Sequence, residues 1–204
     1  MIRNFVRTAA QALAAILLLA LAAPLSAQEN EIEIAEMQMG NPDAKVTVVE
    51  YASYTCPHCA TFHAGTLPEL KTNYIDTGLI NFVYREVYFD RFGLWASMVA
   101  RCDESKFFGI GDLLYEGQRD WTSGAPAEIA AKLKTIGKVA GLGDEQLEAC
   151  LTDGPKAQAL FAWFKANSEA DDISSTPTLM INGQQYGNMS YAELAATLDE
   201  KLAE

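Results

Sequence analysis

The sequence predicts an α/β domain interrupted by a helical insertion. Three observations lead there. Short apolar, strand-like runs stand at both ends of the chain, at 46–51 and 80–88 early and at 178–182 late. Helical periodicity dominates between them, from about 94 to 170. Two cysteines, in Cys56-Pro57-His58-Cys59, sit where the first strand turns into the first helix. Strands at both ends with a block of helices between them are accommodated by one α/β layer carrying an insertion.

The elements follow in order. Residues 1–8 carry Arg3 and Arg7 and no acid, residues 9–23 are almost wholly apolar, and Pro24-Leu25-Ser26-Ala27 precedes a polar, acidic segment. That order is the pattern of a secretory signal peptide, with cleavage expected after Ala27. The apolar run is shorter than the roughly 20 residues a spanning helix needs. Arg3 and Arg7 are not adjacent, which argues against a twin-arginine signal, and no cysteine follows the run to take a lipid. An uncleaved anchor is the alternative. Residues 28–44 form an acidic lead, with a short strand expected at 31–34.

The run Val46-Thr47-Val48-Val49-Glu50-Tyr51 is apolar nearly throughout, which suits a central strand buried on both faces. Residues 57–76 read as helix, with Pro68 expected to kink or divide it and Thr77-Gly78 to stop it. Residues 80–88 alternate well enough for a second strand. In the helical stretch Pro126 fits a first turn, and Gly141-Leu142-Gly143-Asp144 a break between helices. A strand at 178–182 is followed by an Asn182-Gly183 hairpin turn and a return strand at 184–187. Ser190-Tyr191-Ala192-Glu193 is a capping box that opens a last helix, to Leu202. The expected division is therefore a signal peptide at 1–27, the lead at 28–44, an α/β domain at 45–92 and 173–204, and the helical insertion at 93–172.

Charge narrows the function. The chain has 27 acidic and 15 basic residues, a net charge of −12, and removal of Arg3 and Arg7 would make it more negative. Such a chain is a poor partner for nucleic acid or for an anionic membrane surface. Neither Gly109-Ile110-Gly111 nor Gly141-Leu142-Gly143 completes a dinucleotide fingerprint.

The cysteine pair has a physical logic. A thiol at a helix N-terminus meets unpaired backbone N–H groups and the positive end of the helix dipole, which favour an anion. The thiolate is the form that attacks disulfides. The second thiol, a turn later, can close back on the first, so strand, Cys-x-x-Cys and helix together read as a thioredoxin-like redox site. Two other readings exist. Cys56, Cys59 and His63 have the Cys-x₂-Cys-x₃-His spacing of zinc ligands, but a structural zinc takes four, and His58, Cys102 and Cys150 are poorly disposed to supply the fourth. A permanent Cys56–Cys59 staple would be strained and reducible.

At this point a resemblance becomes specific. Cys56-Pro57-His58-Cys59, Glu50 six residues before it and Thr176-Pro177-Thr178 far downstream resemble the DsbA family. The match is to a branch with Phe62-His63 after the motif, Tyr74-Ile75-Asp76-Thr77-Gly78, Arg85-Glu86, and a second cysteine pair. It covers about 40–200. Val87-Tyr88 and Ile173-Ser174-Ser175 depart from the pattern. The family comprises exported thiol–disulfide oxidoreductases with a thioredoxin fold and an inserted helical domain. The resemblance implies that Cys56 is an exposed nucleophile and Cys59 the buried resolving thiol. Pro57 fits the helix's first turn. His58 would donate to the Cys56 thiolate or carry charge near it, making the disulfide a stronger oxidant. Glu50, a carboxylate on a buried strand, asks for a reason; the resemblance makes it the group that handles the proton of Cys59. A carboxylate reaching solvent from the strand end is the bland reading.

His63 reads as a packed or half-exposed helix residue rather than a ligand. Thr176-Pro177, otherwise an ordinary trans turn, becomes by resemblance a cis-proline loop facing the disulfide and binding an extended substrate. Cys102 and Cys150 are expected to pair, as cysteines of exported proteins tend to; two buried free thiols are the alternative. The aromatics Phe107, Phe108, Trp121, Phe161, Trp163 and Phe164 are expected in the core more than in a groove.

The resemblance thus implies a periplasmic enzyme that introduces disulfides into exported proteins, with no dissociable cofactor and no metal. Its partners would be reduced or unfolded exported proteins and a membrane partner of the DsbB type that reoxidises it. An isomerase or reductase of the same fold is the first rival, favoured by Thr176 before the proline. The shortness of 28–44 argues for a monomer and against a dimerisation domain. A non-enzymatic holdase is the second rival.

Overall fold

A computed structural model describes residues 32–204; the signal-peptide reading of 1–27 lies outside them. Five strands form one mixed sheet in the order β1-β3-β2-β4-β5: β1 Met37–Gly40, β2 Val46–Ala52, β3 Ile80–Glu86, β4 Thr178–Ile181 and β5 Gln184–Tyr186. β2 runs parallel to β3 and antiparallel to β4, with Glu50 opposite both Tyr84 and Leu179. β2 is the central strand, and Val46, Val48, Glu50, Tyr51 and Ala52 along it are buried.

Of the strand expected at 31–34, the described residues 32–34 carry none; the lead contributes its strand at Met37–Gly40. Glu33 and Glu36 precede it, Glu36 reaching out to Arg85 at 2.7 Å. Pairing instead begins at Met37, which is buried opposite Tyr84. Gly40 closes the strand at φ +90°, where an added Cβ would lie 2.4 Å from the Ile80 carbonyl.

The first helical stretch is divided, but not by Pro68. Helix α1, Pro57–Ala64, ends at Gly65, and α2, Thr66–Leu70, runs into a π turn at Lys71–Ile75. Pro68 lies in the first turn of α2, where its missing N–H leaves no helical bond unmade. Gly78 at φ +72° then turns the chain into β3. The helical block comprises α3 Arg91–Ala100, a 3₁₀ turn Glu104–Lys106, α4 Phe107–Glu116, α5 Gln118–Trp121, α6 Pro126–Val139, α7 Asp144–Thr152 and α8 Gly154–Ala170. Asp90 caps α3 by accepting from the N–H groups of Phe92 and Gly93 at 2.7 and 2.9 Å. Asn182 and Gly183 both take positive φ, 48° and 80°, the hairpin geometry that their sequence favours. α9, Tyr191–Ala203, starts at the Ser190/Glu193 box: Glu193 Oε2 accepts from the Ser190 N–H at 2.9 Å.

One apolar cluster joins the sheet to the helical block. It runs from Val48 and Phe82 through Tyr54 and Tyr84 to Phe107, Leu114, Trp121 and Leu133. Phe107 and Trp121 are buried; Phe108, Trp163 and Phe164 are half-buried, and Phe161 is 46% exposed. No helix among the described residues is long and apolar enough to cross a membrane.

Candidate active site

The site grows from the end of β2. The strand stops at Ala52, and the Cys56 N–H donates to the Ser53 carbonyl at 3.0 Å, closing a tight turn. A residue before proline is steered out of the helical region, and Cys56 takes the extended N-cap conformation (φ −87°, ψ 118°) with Pro57 as the first helical residue. Cys56 and Cys59 are both free thiols. Cys56 is less open than expected, at 7% exposure, because the loop of Thr176-Pro177 packs over it; its thiol donates to the Thr176 carbonyl at 3.5 Å. That peptide bond is cis. Cys59 is wholly buried. Burial pushes its thiol well above its ordinary range, and the Glu50 carboxylate pushes it the same way; bonds from the Ser53 backbone and the Thr176 hydroxyl act against these. The Thr176 hydroxyl oxygen is otherwise buried without a partner.

His58 is exposed on α1 and makes no hydrogen bond to Cys56. Cys102, just beyond α3, is bonded to Cys150 of α7 across 48 residues of sequence. No group of three or more possible metal ligands occurs among the described residues.

Glu50 does not reach solvent: it is 0% exposed. Its partner is His63, whose Nε2–H donates to both carboxylate oxygens at 3.1 and 3.0 Å. The His63 side chain is itself only 8% exposed, and its Nδ1 is buried without a partner. The ring stacks on Tyr115 of α4, centroids 4.0 Å apart. The Tyr84 and Tyr115 hydroxyls meet at 2.6 Å, and burial keeps both protonated far beyond the ordinary range. Beside His63 a groove of about 380 Å³ separates α1 and α2 from α4. Its wall includes Ala60, Ala64, Leu67, Lys71, Asp112 and Glu116. Half-burial raises the Asp112 carboxyl, while the charges of His63 and Lys71 pull it down.

Gln118 and Tyr115 escape a reading of the sequence. Gln118, 5% exposed, sends its amide N–H groups to the carbonyls of Tyr54 at 2.8 Å and Cys56 at 2.9 Å, tying the helical block to the turn that carries Cys56. Nothing in the local sequence marks it. The Glu50–His63 pair left a signal: His63 lies four residues after Cys59, so both share one helix face, and that face lies on the strand carrying the unexplained acid.

The arrangement can exchange disulfides: one sulfur near the surface at a helix start, a second sealed beneath it, and a buried acid alongside. Known proteins agree. The family model described as "Thioredoxin" matches residues 33–200. A "Putative protein-disulfide oxidoreductase" of Rickettsia bellii (strain RML369-C) is 36% identical over 176 residues, 85% of this chain and 67% of that protein. Across the five rickettsial relatives the chain spans between 61% and 67% of their lengths. "Disulfide bond formation protein D" of Bacillus subtilis (strain 168) is 28% identical over 174 residues, 80% of this chain and 76% of that one. In fold, the crystal structure of Wolbachia pipientis alpha-DsbA1 superposes with a TM-score of 0.76 at 22% identity, over 84% of this chain and 93% of that one. Sequence relatives and shared fold converge: the chain belongs to the DsbA family of thioredoxin-like thiol–disulfide oxidoreductases.

Proposed function

We propose that this chain oxidises thiol pairs in exported proteins, working in the periplasm through a Cys56–Cys59 disulfide. The observation that carries the reading is the asymmetry of the two thiols. Cys56 caps a helix beside the Thr176 carbonyl, while Cys59 is sealed beneath it and held neutral. A substrate thiolate therefore meets the Cys56 sulfur first. The substrate–Cys56 bond forms, the Cys56–Cys59 bond breaks, and Cys59 leaves with the electron pair and takes a proton. A second substrate thiolate then attacks the substrate sulfur of the mixed disulfide. The substrate leaves oxidised, Cys56 leaves as thiolate, and two electrons have passed to the enzyme.

In this reading Pro57 sets the helix start, and the exposed His58 places a donor or a positive charge near the Cys56 thiolate. Glu50 handles the Cys59 proton. The Thr176-Pro177 loop receives an extended substrate segment by backbone pairing. The Cys102–Cys150 bond braces the helical block. A membrane partner of the DsbB type reoxidises the dithiol, no dissociable cofactor takes part, and the protein acts as a monomer. The signal-like order of residues 1–27 supports export.

The test is a redox titration of Cys56/Cys59 against glutathione, run beside two assays: oxidation of a reduced dithiol peptide, and refolding of a scrambled multi-disulfide protein. The expected result is an easily reduced disulfide, fast peptide oxidation and poor rescue of the scrambled protein. A stable dimer or trimer with strong isomerase activity would overturn the oxidase reading in favour of an isomerase. Absence of any exchange at Cys56 would overturn both.

A further inference from the structure

The Glu50–His63 pair is more than the oxidoreductase reading uses. Buried carboxylates are neutralised or paired, and here the partner is itself titratable. One imidazole nitrogen is committed to Glu50; the other, Nδ1, is buried and unpartnered. A ring that served only to neutralise the acid would leave an orphaned buried nitrogen, which a histidine normally avoids by finding a second partner. His63 also lines the groove between α1 and α4.

We propose that His63 is the positioning residue through which the Cys59 proton is exchanged with solvent, Nδ1 giving it to or taking it from water in the groove. This rests on the reading of Glu50 as the group that handles that proton. In the reduced enzyme the pair is carboxylate and imidazolium. When Cys59 attacks Cys56 in a mixed disulfide, the Cys56–Cys59 bond forms and the partner leaves as a thiolate. The Cys59 proton passes to Glu50, and His63 releases its Nδ1 proton to groove water. In the oxidised enzyme the pair is carboxylic acid and neutral imidazole. When substrate next opens the disulfide, Glu50 returns its proton to the Cys59 thiolate and Nδ1 takes one up from water. Neither resting state leaves a net charge buried at the pair, whose desolvation would be expensive. The groups facing the ring fit this role. Tyr84 and Tyr115 stay protonated. Asp112, Glu116 and Lys71 line the groove, and Lys71 is paired with Asp76.

The test uses the full chain with nitrogen-15-labelled histidine. The chain has two histidines, so a His58→Gln variant identifies the His63 signals. Nitrogen shifts are read in the reduced and oxidised forms near neutral pH. The expected result is His63 with both ring nitrogens protonated when reduced and Nδ1 bare when oxidised. The same protonation in both forms would overturn the proposal, and this arm needs no change at His63 to fold.

A second arm measures the rate at which Cys59 resolves a mixed disulfide at Cys56, across pH, in Glu50→Gln and His63→Gln, with melting temperatures as controls. Loss of a positioned proton-transfer group slows such steps on the order of 100-fold, and added imidazole should restore part of the rate in His63→Gln through the groove. Slowing in Glu50→Gln with an unchanged rate and pH profile in His63→Gln would overturn this inference alone. An unchanged rate in Glu50→Gln would overturn the Glu50 reading beneath it.

Discussion

Replacing Gln118 with leucine tests whether the helical block holds the active-site turn. The side chain is 5% exposed, and its amide donates to two carbonyls, Tyr54 at 2.8 Å and Cys56 at 2.9 Å. The Cys56 carbonyl would keep one donor, the Ala60 N–H at 3.2 Å. The Tyr54 carbonyl has no other donor among the described residues. An orphaned buried carbonyl costs about 1–3 kcal/mol, and the lost second bond to Cys56 about 0.5–1.5 kcal/mol. The sum is centred near 3 kcal/mol, which at about 2–4 °C per kcal/mol for a domain of this size lowers the melting temperature by roughly 6–12 °C. Gln118→Glu should be no milder, because an ionised carboxylate only accepts and would face two carbonyls. Urea and thermal unfolding give the stability, and thiol exchange at Cys56 reports the turn. A leucine variant within about 0.5 kcal/mol of the parent, the scatter of an ordinary surface change, would refute the clamp.

Four further outcomes follow from the geometry. Cys59 titrates above its ordinary value of 9.0 in the folded dithiol, so the native state keeps a proton that the unfolded chain gives up. Its contribution is therefore intact below about pH 9 and is lost as pH rises beyond it; reduced protein should lose stability there relative to Cys59→Ala, and a flat difference would count against burial as the cause. In mass-mapped alkylation the reduced protein should react at Cys56 and only slowly at Cys59. Replacing both Cys102 and Cys150 with alanine opens a closure spanning 48 residues and should cost up to about 4 kcal/mol in urea unfolding. Arg101→Met strands Glu86, whose carboxylate accepts from Arg101 Nη2 at 2.8 Å with both side chains 1% exposed. Unfolding should register a loss of about 3–5 kcal/mol, most of it recovered in Glu86→Leu/Arg101→Met; a double variant no better than the single would refute the pair account.

Local signals were legible wherever one residue type does one thing. Asn182-Gly183 needs two positive φ values and has them. Ser190 and Glu193 reciprocate as a capping box, which their spacing alone encodes. The central place of β2 could be read from its run of residues, apolar nearly throughout. Signals failed where several devices compete. Glu31-Ile32-Glu33-Ile34 alternates like a strand, yet pairing with β3 starts at Met37, where a side chain can be buried opposite Tyr84. Pro68 ends helices in general, but three residues after Gly65 it opens one.

The site divides along the same line. Cys56, Cys59 and Thr176-Pro177 announce themselves because their chemistry requires those residue types at fixed spacing. Gln118 and Tyr115 belong to the helical block and reach the site only through the tertiary fold, so no local pattern could reveal them. Their contacts change what the block is for. Gln118 holds the carbonyl of Cys56, and Tyr115 stacks on the imidazole bonded to Glu50. A block that merely decorated the sheet would share surface with it at the rim. This one reaches both parts of the proposed site, the turn that presents Cys56 and the Glu50–His63 pair, and it shares one continuous core with the sheet that carries them.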